Sequence, residues 1–225
     1  MKANDQETII KSNPLFNSID ERILKKISAT ATRKDLEKGE FLVHQGEIWP
    51  YLFLVVRGTI VAEKDSSDGK TLVAATFGTG DIFWGLAFFL DGSPMPAAYK
   101  VFEDGQIILW SRNDLEPILR ENGTLSWELG KLAVKRMLTA SEIIESMTFQ
   151  PIAVRLARLL MGIKTKNQNS IERSLTLDEM AARIGSTREM VCRLLYKFSD
   201  EGLIKITRTE FTIIDAETLN LKAQR

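Results

Sequence analysis

Residues 175–204, LTLDEMAARIGSTREMVCRLLYKFSDEGLI, carry two helix-start signals separated by a single turn glycine. Thr176 followed by Glu179 is a capping box, in which each residue satisfies an N–H at the start of the helix. Ser186 followed by Glu189 repeats the pattern ten residues later, so a second short helix is expected close behind the first. Gly185 lies between them, where a sharp turn needs a residue that tolerates positive φ, and Ala181 is small enough to let the helices approach. Met180, Ile184, Val191, Leu194 and Leu195 are spaced to bury the inner faces, leaving Arg188, Glu189 and Arg193 on the outer face of the second helix. Few arrangements other than a helix-turn-helix accommodate this set. A merely solvated charged helix would not require the glycine, the alanine and the paired caps together.

The outer face has the chemistry of base reading. Arginine can bond both acceptors of a guanine edge, and a glutamate carboxylate can accept from a cytosine amino group. Ser186, Thr187, Arg188, Glu189 and Arg193 are therefore the expected DNA-contacting residues of this helix. Beyond it, Gly202 suits a helix C-cap, and LIKIT and EFTIID read as two strands joined at Arg208 and Thr209. Lys205 and Arg208 are the cations this wing offers to a phosphate backbone.

Charge is distributed to match. The chain is neutral overall, yet residues 151–225 hold 13 Lys and Arg against 9 Asp and Glu, making that part +4 and the rest −4. At 225 residues, 44% hydrophobic and 27% charged, the chain has room for two domains. It has no apolar run of membrane-spanning length, and MKANDQETIIKS lacks a signal-peptide core, so a cytoplasmic location away from membranes is expected. One histidine and one cysteine far apart offer no convergent catalytic set, so an enzyme is not expected. Cys192 admits two readings, a small residue packed or facing DNA and a thiol open to oxidants.

The first 112 residues follow another pattern. EFLVHQ, YLFLVV, GTIVAEK, TLVAATF and QIILWS are rich in β-branched and aromatic residues, and glycines recur between them from Gly39 to Gly105. Regular turns between short strands indicate a β-sandwich or barrel. From Asn113 the pattern becomes helical, with a long amphipathic run from Leu125 to Met147. Leu129, Ala133, Met137, Ala140, Ile144 and Met147 form a heptad-like seam expected to meet a second copy of the chain, while Leu125, Leu132 and Ile143 face the chain's own β-domain. Pro151 interrupts the helix and marks a hinge, giving expected boundaries of 1–112, 113–149 and 150–225.

In this order, the parts resemble the CRP/FNR family of bacterial transcription regulators over nearly the whole chain. KGEFLVHQGE followed by LFLVVRGTIVAEK is similar to the first strands of that family's nucleotide-binding roll, GTGDIF to its later turn, and REMVCR to its recognition helix. The resemblance implies an α+β architecture: an N-terminal cyclic-nucleotide-binding-like β-roll (jelly roll), a long dimerisation helix and a C-terminal winged helix-turn-helix. It also implies a homodimer on double-stranded DNA, with TGTGA-like half-sites in inverted repeat, and contact with RNA polymerase where the regulator activates.

The chain departs from the family at the effector site. Where cyclic-AMP binders carry Gly-Glu-Leu it reads Trp84, Gly85, Leu86, and where they carry Arg-Ser or Arg-Thr it reads Met95, Pro96. The Thr-Ser pair of the long helix becomes Ala140 and Ser141. A buried phosphate without its cation costs on the order of several kcal/mol, which argues against cyclic AMP. No cysteine precedes Cys192 to hold an iron-sulfur cluster, and His44 sits in an HQGE setting common in members without haem, so no cofactor or metal is expected. The expected pocket is lined by Trp84, Gly85, Leu86, Phe88, Phe89, Met95, Pro96 and Ala97, with Ser141 as a polar contact. Such a lining suits an apolar small-molecule effector. Two other readings stay open, an effector-independent regulator with a vestigial pocket and a cyclic-nucleotide responder with a non-standard one.

Overall fold

The computed structural model of the protein describes residues 3–67, 69–163, 170–172, 175–207 and 210–224. The chain divides into two compact units, residues 1–64 with 74–139 and residues 65–73 with 140–225.

The first unit opens with two helices, α1 (Ala3–Ser12) and α2 (Glu21–Thr30), which the strand-and-turn reading of this region did not anticipate. Asp20 caps α2 by accepting from the Ile23 N–H, and Ile23, Leu24 and Ile27 lie buried along one face at helical spacing. The strands follow: β1 (Thr32–Leu36), β2 (Phe41–Val43), β3 (Tyr51–Asp65), β4 (Thr71–Phe77), β5 (Ile82–Trp84) and, after a 3₁₀ turn at Leu86–Phe88, β6 (Ala98–Ser111). They form a sheet in the order β1-β6-β3-β4, with β2 added to β6 and β5 to β3. The long strands β3 and β6 are its spine. The first half of β3 pairs with the last half of β6, and the register shifts between Val55 and Ile60.

Two glycines make that shift sterically feasible. A Cβ on Gly105 would lie 2.2 Å from the Arg57 carbonyl oxygen, and one on Gly58 would lie 2.7 Å from that of Asp104. Because β3 is covered on both sides, its alternating side chains are apolar in both directions. Leu52 and Leu54 join Ile108, Trp110 and the helices in one core, while Phe53 and Val55 join Phe77, Met95, Tyr99 and Ile107 inside the roll. Trp110 is fully buried, and its indole N–H donates to the Ile27 carbonyl at 2.9 Å. Helix α3 (Arg112–Glu121) and α4 (Gly123–Phe149) up to Thr139 complete this unit, the remainder of α4 falling in the second. Leu125 and Leu129 of α4 enter the core that also holds α2.

The second unit contains α5 (Ile152–Ile163), β7 (Ser170–Glu172), α6 (Leu177–Ile184), α7 (Arg188–Asp200), β8 (Ile204–Ile206), β9 (Glu210–Ile213) and α8 (Ala216–Gln224). Strands β8 and β9 pair antiparallel as the expected wing, and β7 adds to the other edge of β9. Helix α8, also unanticipated, packs on α5 and buries Leu219 and Ala223. The junction between α4 and α5 is clamped by polar groups. Arg155 donates to the last-turn carbonyls of Ser146 and Met147, and Arg158 reaches both the Gln150 side chain and the Ala223 carbonyl.

Candidate nucleic-acid interface and effector groove

The helix-turn-helix is built largely as its residues dictate. Thr176 and Glu179 form the complete capping box, with the Thr176 N–H donating to the Glu179 carboxylate at 2.7 Å and the Glu179 N–H to the Thr176 hydroxyl at 3.2 Å. Gly185 ends α6 in the left-handed region at φ +59°, and the Ser186 N–H donates to the Ala181 carbonyl. The second cap differs from expectation. Thr187, not Ser186, accepts from the Met190 N–H, because the left-handed glycine and the following serine are both spent on the turn.

Val191, Leu195 and Phe198 are buried beneath α7, while Thr187, Arg188, Glu189 and Arg193 are exposed. Arg188, Glu189 and Arg193 thus share the solvent side of one rigid helix. Arg188 is held in place by Asp178 of α6 at 3.2 Å, a contact not read from sequence. The Glu189 carboxyl is held below the usual glutamate range by its own backbone N–H and then by the Thr187 hydroxyl, so it remains an acceptor. Tyr196, a further turn along and exposed, extends the same face; its place seven residues after Glu189 was the available signal. Lys205 is exposed on β8. Arg208 lies outside the described residues.

The residues expected to line one effector pocket are not brought together. Met95 and Ala97 are buried inside the roll, where Phe53, Phe77, Phe83 and Tyr99 interlock with ring centroids 4.3–6.2 Å apart. Gly85 has a packing role, since a Cβ there would lie 1.8 Å from the Trp49 carbonyl oxygen. Leu86, Pro96 and Ser141 are exposed. Trp84 and Phe88 pack with the core that holds the helices, not with the roll interior that Phe83 joins, although the Phe83 and Trp84 rings stack at 5.5 Å. There they border an open groove of about 450 Å³ between the 3₁₀ turn, α3 and α4, together with Phe89, Leu129, Ala133 and the side chains of Arg112, Glu116 and Arg120.

Sequence reasoning also missed a cation at the roll. Arg136 of α4 places its guanidinium 5.2 Å from the Phe77 ring centre, and bonds Asp81 at 2.8 Å and the Ile82 carbonyl at 3.2 Å. Burial pushes the neighbouring Tyr99 phenol well above its ordinary range, which keeps it neutral.

The seam expected on α4 also needs correction. Leu129 is 3% exposed and packs into the chain's own core, and Met147 lies against Gly185, its Cε 3.4 Å from the position of a glycine Cβ. Met137, Ala140, Ile144 and Ala133 are exposed as expected. On α4 the large apolar side chains open to solvent are Trp127 (72%), Val134 (53%), Met137 (65%), Leu138, Ile144 (67%) and Phe149. Trp127, Val134, Met137 and Ile144, taken with Gly130 and Ser141, recur at alternating three- and four-residue steps, so the free stripe shares Met137 and Ile144 with the expected one and lies one residue on from it at 130, 134 and 141.

Known proteins match both parts of the chain. A cyclic nucleotide-binding domain matches residues 33–122, and a Crp-like helix-turn-helix domain matches residues 154–221. The chain is 22% identical to the cyclic AMP receptor protein of Thermus thermophilus over 88% of this chain and 90% of the relative. It is 27% identical to the anaerobic regulatory protein of Bacillus subtilis over 84% and 82% of the two chains. Among solved structures, a crp/fnr-family transcriptional regulator from Eubacterium rectale superposes with a TM-score of 0.80 at 21% identity, covering 94% of this chain and 98% of that one.

Proposed function

Because the chain belongs to the CRP/FNR family of transcription regulators, we propose that it binds an inverted-repeat operator as a homodimer and sets transcription from it, acting in the cytoplasm without enzymatic turnover. The observation that carries this reading is the outer face of α7. Arg188, Glu189 and Arg193 stand exposed on a helix whose other side is locked into a core, the arrangement needed to read three base edges from a fixed position. These residues coincide with the base-reading set of cyclic-AMP-receptor-like helices, so TGTGA-like half-sites are expected. The apolar stripe on α4 supports dimerisation, since four large side chains along it, Trp127, Val134, Met137 and Ile144, are left to solvent in a helix of 27 residues. A two-fold dimer presents two recognition helices to half-sites about one DNA turn apart.

The test is selection by the purified protein from randomised duplexes. Enrichment of an inverted repeat with TGTGA-like arms is expected, and loss of that enrichment in Arg193→Ala ties it to α7. No enrichment, with or without cell extract, would overturn the reading. The effector is not cyclic AMP in this proposal. The close-packed aromatic interior of the roll favours that view, and with it the alternative of a regulator whose roll interior is vestigial.

A further inference from the structure

We propose that the groove beside the 3₁₀ turn, rather than the interior of the roll, is a ligand site for an apolar monocarboxylate with a ring or branched body. Its floor is apolar: Trp84 and Phe89 meet edge to face at 5.5 Å, and Leu129 and Ala133 of α4 form the opposite wall. Its volume of about 450 Å³ falls within the range of small-molecule sites. One end is charged. Arg112 donates to Glu116 at 2.9 Å, and Arg120 donates to the other oxygen of the same carboxylate at 2.6 and 2.9 Å.

Two guanidiniums thus share one carboxylate, and the lining keeps a net positive charge. Arg112 also bonds Asp91, but through Nη1, on an aspartate that is almost wholly exposed and outside the groove lining. Arg112 Nη2 and Arg120 Nη1 have no partner among the described residues, so donors remain for one further anion. Glu116 is held ionised by Arg112 and then Arg120, and it fixes both arginines instead of competing for the ligand's proton. An apolar body with one carboxylate matches both ends. A dianion would exceed the available charge, and a cation would meet two arginines.

Calling this ligand an effector rests on the regulator reading above; its binding does not. The full-length protein is titrated calorimetrically with 2-naphthoate and with 2-naphthalenemethanol, its neutral counterpart. The acid is expected to bind once per chain and the alcohol about tenfold more weakly. Arg120→Gln should reduce the acid to the affinity of the alcohol, and Ala133→Trp, which fills the groove, should abolish binding of both. Phe89→Ser, at an exposed position off the long helix, should weaken both probes and serves where Ala133→Trp does not fold. Absence of binding by folded protein, equal affinity for acid and alcohol, or full binding by Ala133→Trp would each overturn the site. Duplex selection reads the regulator function separately. Naphthoate binding without any selected sequence would sink the regulator and leave the site, and the converse would sink the site alone.

Discussion

At the scale of single residues, the face of α7 makes quantitative demands. Replacing Arg188 or Arg193 by alanine should cost roughly 1–3 kcal/mol on the preferred half-site and relax preference at one base position. Competition binding against single-base operator variants reads this directly, and a uniform loss across all sequences would mean that only phosphate is touched. The surface pair of Arg188 with Asp178 must open for base contact, so Asp178→Asn should leave affinity within about 1 kcal/mol of the parent. Glu189 has a depressed pKa, so its charged form persists below the ordinary glutamate value of about 4.3. Preference for the base Glu189 is proposed to read should therefore survive as pH falls through that value and disappear only lower. Glu189→Ala, which leaves no acceptor, should lose it at every pH, which competition binding across the range would reveal. Gly85 is constrained by space alone, and Gly85→Ala drives a methyl into the Trp49 carbonyl. That substitution should destabilise the first unit by on the order of 1–3 kcal/mol or more in denaturant unfolding.

At the scale of elements, local and tertiary forces can be told apart. The start of α6 is a local device. Thr176→Ala removes the hydroxyl that accepts the Glu179 N–H and should cost about 1 kcal/mol of stability, with little effect on the first unit. Helix α4 is the contrary case, because its residues support more than one apolar stripe and burial chooses among them. Leu125, Leu129 and Leu132 turn toward the core, which leaves Trp127, Val134, Met137 and Ile144 as the free line. Val134→Glu should therefore shift the chain toward monomer in sedimentation velocity without altering its helix content, because position 134 touches no internal core. Were the dimer to persist, a different surface would hold it. The seam read from sequence failed at Leu129 and Met147 because a heptad pattern reports spacing, and spacing alone does not distinguish the chain's own core from a partner.

At the scale of the whole molecule, the order of parts was legible and the use of the roll was not. Strand-rich residues with regular glycines, one long helix and a capped helix pair fix a roll, a helix and a winged helix-turn-helix in that sequence. Two matching domains at 33–122 and 154–221 agree with it. As a regulator on a phosphate backbone, the protein should lose DNA affinity linearly in log salt, with one unit of slope for about every phosphate neutralised. Lys205→Ala should reduce that slope by about one while leaving the selected sequence unchanged, whereas a changed sequence would place Lys205 against a base.

What the sequence determined by itself was whatever depends on neighbours a few residues apart. The capping box at Thr176, the left-handed turn at Gly185, the buried and exposed faces of α7 and the β8–β9 wing all follow from local hydrogen bonding and periodicity. Even there, the start of α7 moved by one residue, because the turn consumed Ser186. The tertiary structure decided what depends on groups far apart in the chain. It directed Met95 and Ala97 into a packed roll, pressed Gly85 onto Trp49, set Arg136 over Phe77 and gathered Trp84, Arg112 and Ala133 around one groove. Those outcomes are long-range because a strand's two faces are equivalent until packing partners arrive. Residues 77 and 136 became neighbours only when a helix closed over a roll whose strands pair from Tyr51 with Ser111 to Glu63 with Ala98, far apart in the chain.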